Sequence, residues 1–130
     1  MPAQYTTNYS PDIRAGCGQV IISAIDAHPT NPGYMAIYNA SDVMLSRVNF
    51  TRPCGTVNST TGVTTLTANG RDNGALAAGT ASTLRIFDGY GTEKRSLPCE
   101  VGVTAVVGKN IMPTLSIAQG QPVEYSSVLI

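Results

Sequence analysis

A chain of 130 residues fits one domain and is long enough to bury one real core. Its eight basic and eight acidic side chains cancel, and charged residues make up only 12%, against about 25% in an average soluble domain. Without a Lys/Arg cluster it lacks both the phosphate-neutralising footprint of a nucleic-acid binder and the polybasic run of a membrane-surface protein, so neither nucleic acid nor membrane is expected as a partner.

Met1 to Tyr9 follows neither a helical nor a strand period and reads as an extended N-terminal arm over residues 1–9. It lacks the basic and apolar regions of a signal peptide, and no apolar run nears the 18 or more residues of a membrane span; a cytoplasmic origin is expected. Tyr5 and Tyr9 are candidate partner contacts, because tyrosine supplies large contact area with a polar tip. Ser10-Pro11-Asp12 then gives a helix start: a capping residue, proline at the first helical position and an acid in the first turn. Ile13, Cys17, Val20, Ile21, Ala24 and Ile25 recur at spacings of three and four, which predicts a helix over about residues 11–27 with one apolar face. Gly16 and Gly18 each cost about 1 kcal/mol against alanine in a helix interior, and both permit another backbone to come close. His28-Pro29 ends the helix, since the residue before proline disfavours the α region, and Asn31-Pro32-Gly33 makes a turn.

From Tyr34 the period shortens to two. Tyr34 to Tyr38 and Val43 to Phe50 read as strands, with Arg52-Pro53 marking the end of the second. Val63 to Ala68 is the best strand of the threonine-rich stretch that follows; residues 69–74 are a turn cluster and 75–80 a loop. Thr83 to Phe87 and Thr92 to Leu97 form the clearest hairpin, because Asp88-Gly89 supplies the positive backbone dihedrals of a tight turn. Leu84 and Ile86 should face the core and Arg85 should face out. Val101 to Val107, Leu115 to Ile117 and Val123 to Leu129 complete the strands. Seven or eight strands after one short helix predict a mainly β chain: an antiparallel β-sandwich, jelly-roll or Greek-key-like, forming a single domain over residues 10–130. Its apolar end, Val128, Leu129 and Ile130, needs either a core or a neighbour to cover it, so these three are also candidate contacts.

Chemistry-bearing residues are sparse. The only histidine, His28, reads as a cap favouring the helix dipole rather than as a catalytic base. Cys17, Cys54 and Cys99 suit neither a disulfide framework nor a zinc site, and buried free thiols are expected; Cys54 and Cys99, each after a proline, could alternatively pair under oxidation. The Asp88 to Glu93 segment lacks the alternating acids of a calcium loop. No catalytic residue, cofactor or metal ligand is expected, and three tripeptides of glycosylation-acceptor type (at Asn39, Asn49 and Asn58) are taken as chance in a chain rich in serine and threonine.

Three stretches carry a resemblance. Ala-Ile-Asp-Ala (24–27) leads to Tyr-Met-Ala-Ile-Tyr-Asn (34–39) and to Leu-Ser-Arg-Val-Asn-Phe (45–50) with a proline following; Ala78 to Gly91 is a small-residue stretch running into a strand and an Asp-Gly hairpin; Glu100 to Gly102, Ile117 to Gly120 and Val123 to Ser127 close the pattern. Over roughly residues 20–130 this order resembles a group of small tailed-bacteriophage virion structural proteins of the capsid decoration or cement type. The resemblance implies a non-enzymatic protein that binds the major capsid protein of an expanded lattice and further copies of itself, as a homodimer or homotrimer. It also implies a virion location after assembly in the host cytoplasm. The long arm and the three cysteines depart from the group's pattern. Alternatives are a tail, collar or head-completion component, or a β-sandwich module binding glycans, although aromatic content of 6% and the absence of tryptophan weigh against sugar stacking.

Overall fold

The computed structural model describes residues 10–125 and 128–130. Tyr5 and Tyr9, with the rest of the arm, lie outside the described residues. Helix α1 spans Pro11–Ile25, with Pro11 in the first turn beside Asp12. Ser10 holds the capping position, but its hydroxyl donates to the Asp12 carboxylate instead of serving a helix end. The helix stops two residues earlier than expected because Asp26 leaves it to serve the sheet: its Oδ2 accepts the Cys54 N–H at 3.0 Å.

The face that α1 buries keeps only part of the predicted one, Ile25 and, half-buried, Ile21. Gly18, Ile22 and Ile25 point inward, whereas Ile13 and Val20 of the predicted apolar stripe are 49% and 69% exposed. Close approach decides this. A Cβ on Gly18 would lie 1.9 Å from Thr64 Oγ1, so the helix touches the sheet where it has no side chain, and that rotation carries Ile22 and Ile25 into the core. His28 lies beyond the helix end, where its Nδ1 accepts the N–H groups of Thr30 (3.1 Å) and Asn31 (2.8 Å). It pins the following turn, a different task from the dipole cap that the sequence suggested.

Nine strands follow among the described residues: β1 (Tyr34–Tyr38), β2 (Met44–Val57), β3 (Thr64–Ala68), β4 (Gly79–Thr80), β5 (Thr83–Phe87), β6 (Glu93–Val101), β7 (Asn110–Met112), β8 (Ser116–Ile117) and β9 (Val128–Leu129). The chain is mainly β with one short helix, as its periodicity predicts. Seven strands form one continuous sheet in the order β7-β6-β5-β1-β2-β3-β9, and β4 and β8 form a separate pair. Near the sheet's two edges the Gly108 N–H donates to the Leu129 carbonyl at 2.7 Å, bringing β7 and β9 together. The result is a large, nearly closed, barrel-like sheet where two facing antiparallel layers were expected.

The pairing also corrects several local expectations. β6 and β7 run parallel, with Cys99 opposite Asn110. β2 passes through Arg52-Pro53 to Val57, because a register irregularity between Phe50 and Gly55 absorbs the proline. The β5–β6 hairpin is present, and Leu84 (0% exposed) and Ile86 (1%) face the core as predicted. Its turn works differently, however. The positive φ falls on Gly91, at 83°, while Gly89 permits a close approach: a Cβ there would meet the Asn31 carbonyl at 2.2 Å. Asp88 closes the turn by accepting the N–H groups of Tyr90 and Thr92, each at 2.9 Å.

Inward side chains of the sheet, among them Met35, Ile37, Phe50, Leu66 and Leu97, pack with Ile22 and Ile25 of α1 into one core. Each such side chain contributes roughly 1.5–3 kcal/mol when fully buried. Ser46, also fully buried, donates to Asp72 Oδ2 at 2.7 Å and accepts from the Tyr125 hydroxyl at 2.8 Å. Reciprocal backbone bonds between Asp72 and Val123 (3.0 and 2.7 Å) strengthen this clasp, which holds the chain's last segment against β2. No helix among the described residues is long and apolar enough to cross a membrane.

Candidate functional site: the β6–β7 loop and its groove

Residues 102–109 connect two parallel neighbours. A parallel partner must start beside the earlier residues of the strand it follows, so the chain has to travel back along β6 before β7 begins. The connection therefore stands off the sheet. Val101 to Val107 alternates like a strand in sequence, but only Val101 keeps a ladder partner, Met112; residues 102–107 lie on the return path, and Val103 is 99% exposed, with Val101, Val106 and Val107 exposed too. This corrects the strand predicted there.

The loop is nevertheless held firmly at its base. Lys109 Nζ and Glu100 Oε2 form an ion pair at 2.9 Å across the two strand ends, and the Gly102 N–H donates to the Met112 carbonyl at 2.9 Å. Lys109 N–H closes a turn on the Val106 carbonyl, and Gly108, at a φ of 80°, turns the chain into β7. Beside the loop lies a groove of about 600 Å³. Buried Met112, Ile117 and Val123 line it together with Pro113, Pro122 and exposed Val103, and Lys109 and Glu124 supply its charges.

Of the expected contact residues, the three that are described, Val128, Leu129 and Ile130, fall elsewhere. Val128 is 1% exposed and pairs through its backbone with Leu66, so the core covers it; Leu129 and Ile130 are half-buried. Ile130 exchanges two backbone bonds with Thr64, at 3.0 and 2.8 Å. The C-terminal strand supports the valine loop from behind, through the Gly108–Leu129 bond. Sequence reasoning missed the loop because period two is also the signature of a paired strand. The bounding glycines, Gly102 and Gly108, are the only hint that the chain turns there.

The nucleophilic and titratable groups sit in structural roles. Cys54 is buried, and that burial, with the Asp26 carboxylate beside it, pushes its thiol up to about 12. Burial also raises Cys99, partly offset by the Asn110 amide, which donates to its sulfur at 3.4 Å. Both are free thiols on strands that β1 and β5 separate in the sheet order, and Cys17 is exposed on α1. Burial lifts the Tyr125 hydroxyl, the Ser46 hydrogen bond pulls it down in part, and the Asp72 charge adds to the rise. Among the described residues, no three His, Cys, Asp or Glu side chains converge on a point.

On the outer face of β1, β2 and β5 the aromatic rings cover one another. Tyr34 stacks on Phe87 with centroids 4.7 Å apart, Arg47 lies 3.7 Å over Tyr34, and Arg85 lies 4.1 Å over Tyr38. Arg85 also pairs with Asp42 and Glu93. Such a cross-strand ladder stabilises the sheet through its own contacts. Comparison with protein-family models, with curated proteins and with solved structures finds no match to this chain.

Proposed function

We propose that this chain is a non-enzymatic structural protein of a tailed-phage virion, of the capsid decoration or cement type, which binds the major-capsid lattice. The observation that carries the reading is the amount of apolar surface left outside a firmly tied body. Val103 at 99% exposure and Val20 at 69% lie on different elements, the β6–β7 loop and α1, each anchored to the sheet. Exposed apolar patches on a well-packed domain mark surfaces that other proteins cover. A protein that bridges lattice subunits needs more than one such surface, because its hold comes from adding contacts that are weak individually. The zero net charge serves the same end by removing repulsion at high local concentration.

Incubating the purified protein with capsids before and after expansion tests the reading. It should co-sediment with expanded capsids and stay free of unexpanded ones, and it should be abundant in purified particles. Low copy number at one vertex would point to the tail, collar or head-completion role. Absence from particles would overturn the virion assignment altogether.

A further inference from the structure

We infer that the valine loop is a self-association device: Val103 of one copy enters the groove beside the loop of a second copy, and the second copy returns the contact across a two-fold axis. Knob and hole are neighbours on one surface. Val103 lines the same groove as buried Met112, Ile117 and Val123, and its own side chain, 99% exposed, does not fill it. When a projection and its complementary recess lie side by side, a two-fold rotation about an axis between them engages both pairs at once. Such an interface is closed and isologous. Had they lain at opposite ends of the molecule, the same contact would have propagated as a filament.

Three further observations favour a second copy over an unrelated partner. The eight positive and eight negative side chains leave no net charge to hold two copies apart. Among the described residues the groove carries one cation, Lys109, and one anion, Glu124; Lys109 is already paired with Glu100 of its own copy at 2.9 Å, so reciprocal docking brings Glu124, 82% exposed and 3.8 Å from Arg71, up to the Lys109–Glu100 pair of the other copy. The groove, with two prolines and no aromatic ring among its described lining residues, suits an aliphatic occupant, and at about 600 Å³ it has room for Val103 together with neighbouring loop residues.

This inference concerns the self-partner of the assembly role proposed above, and its test is independent of any capsid. Sedimentation velocity of the full chain, from low to high micromolar concentration, should show a shift from one chain of 13.6 kDa to two. Val103→Asp places a carboxylate in a contact used twice and should raise the dissociation constant by at least ~100-fold. Its far-UV spectrum should not change, and its melting temperature should match the parent's at concentrations low enough for both to be monomeric, since the side chain is 99% exposed. Val43→Asp, at another exposed valine, should dimerise as the parent does. Glu124→Lys should weaken pairing by about tenfold at low salt. A parent chain that stays monomeric, a V103D variant that dimerises normally, or a mass of three chains would each overturn the two-fold loop exchange. A monomeric parent that still binds expanded capsids would overturn this interface while leaving the virion role standing.

Discussion

Single residues set the docking of the helix, and two glycines separate backbone cost from contact cost. At Gly16 nothing lies within 4 Å of where a Cβ would stand, whereas at Gly18 such an atom would meet Thr64 Oγ1 at 1.9 Å. Gly16→Ala should therefore stabilise the protein by ~0.5–1 kcal/mol through helix propensity alone. Gly18→Ala gains the same propensity but must push a buried, β-branched side chain aside, at ~1–3 kcal/mol, and should come out net destabilising. Urea melts of both variants check the opposite signs. The sequence shows both glycines and the permission they give for close approach. It does not say which one is used, because that depends on Thr64, forty-six residues away.

The turn between β5 and β6 depends on one carboxylate. Asp88 is 4% exposed, so burial alone would raise its carboxyl; the N–H donors of Thr92 and Tyr90 and the Lys94 ammonium, 3.5 Å away, outweigh that and hold it below the ordinary carboxylate range. The folded state thus holds the charge more tightly than the unfolded chain does. The stability this contributes is complete above the ordinary carboxylate pKa of about 3.9 and drains away as the pH falls through that value toward the lower folded one. Asp88→Ala should cost ~1–3 kcal/mol at neutral pH, because two N–H groups of the turn lose a charged acceptor, and its penalty should shrink as the pH is lowered below about 4. Thermal melts over an acid pH series check the slope. Asp-Gly in the sequence is enough to place the hairpin, since the side-chain bonds that close it are local. The opposite holds for the valine run. An alternating stretch becomes a strand only if a neighbour offers a ladder, and here the parallel β6–β7 pairing uses those residues as the return path.

At the scale of the whole molecule, closure of the sheet and exposure of the loop are linked. One backbone bond, from the Gly108 N–H to the Leu129 carbonyl, links the two edges of the sheet, and the same bond ties down the loop's base while its valines stay outside. An assembly resting on those valines should respond to solution conditions as apolar contacts do. Raising salt from low to high ionic strength should change the self-association constant less than about threefold, whereas cooling should weaken it, because the hydrophobic driving force fades at low temperature. Equilibrium sedimentation across both variables checks this, and a steep loss with salt would mean that the charges at Lys109 and Glu124, and not the valines, carry most of the contact. Period and local turn chemistry suffice for the mainly β character, the helix near the start, the hairpin of β5 and β6 and the inward side of Leu84 and Ile86, so all of these are legible in the chain as written. Which face of α1 is buried, that Val128 belongs to the core, that β6 and β7 run parallel and that Val101 to Val107 face water were settled by the packing of the whole chain. Those outcomes depend on residues far apart in the chain competing for the same interior, and a local pattern carries no record of who wins that competition.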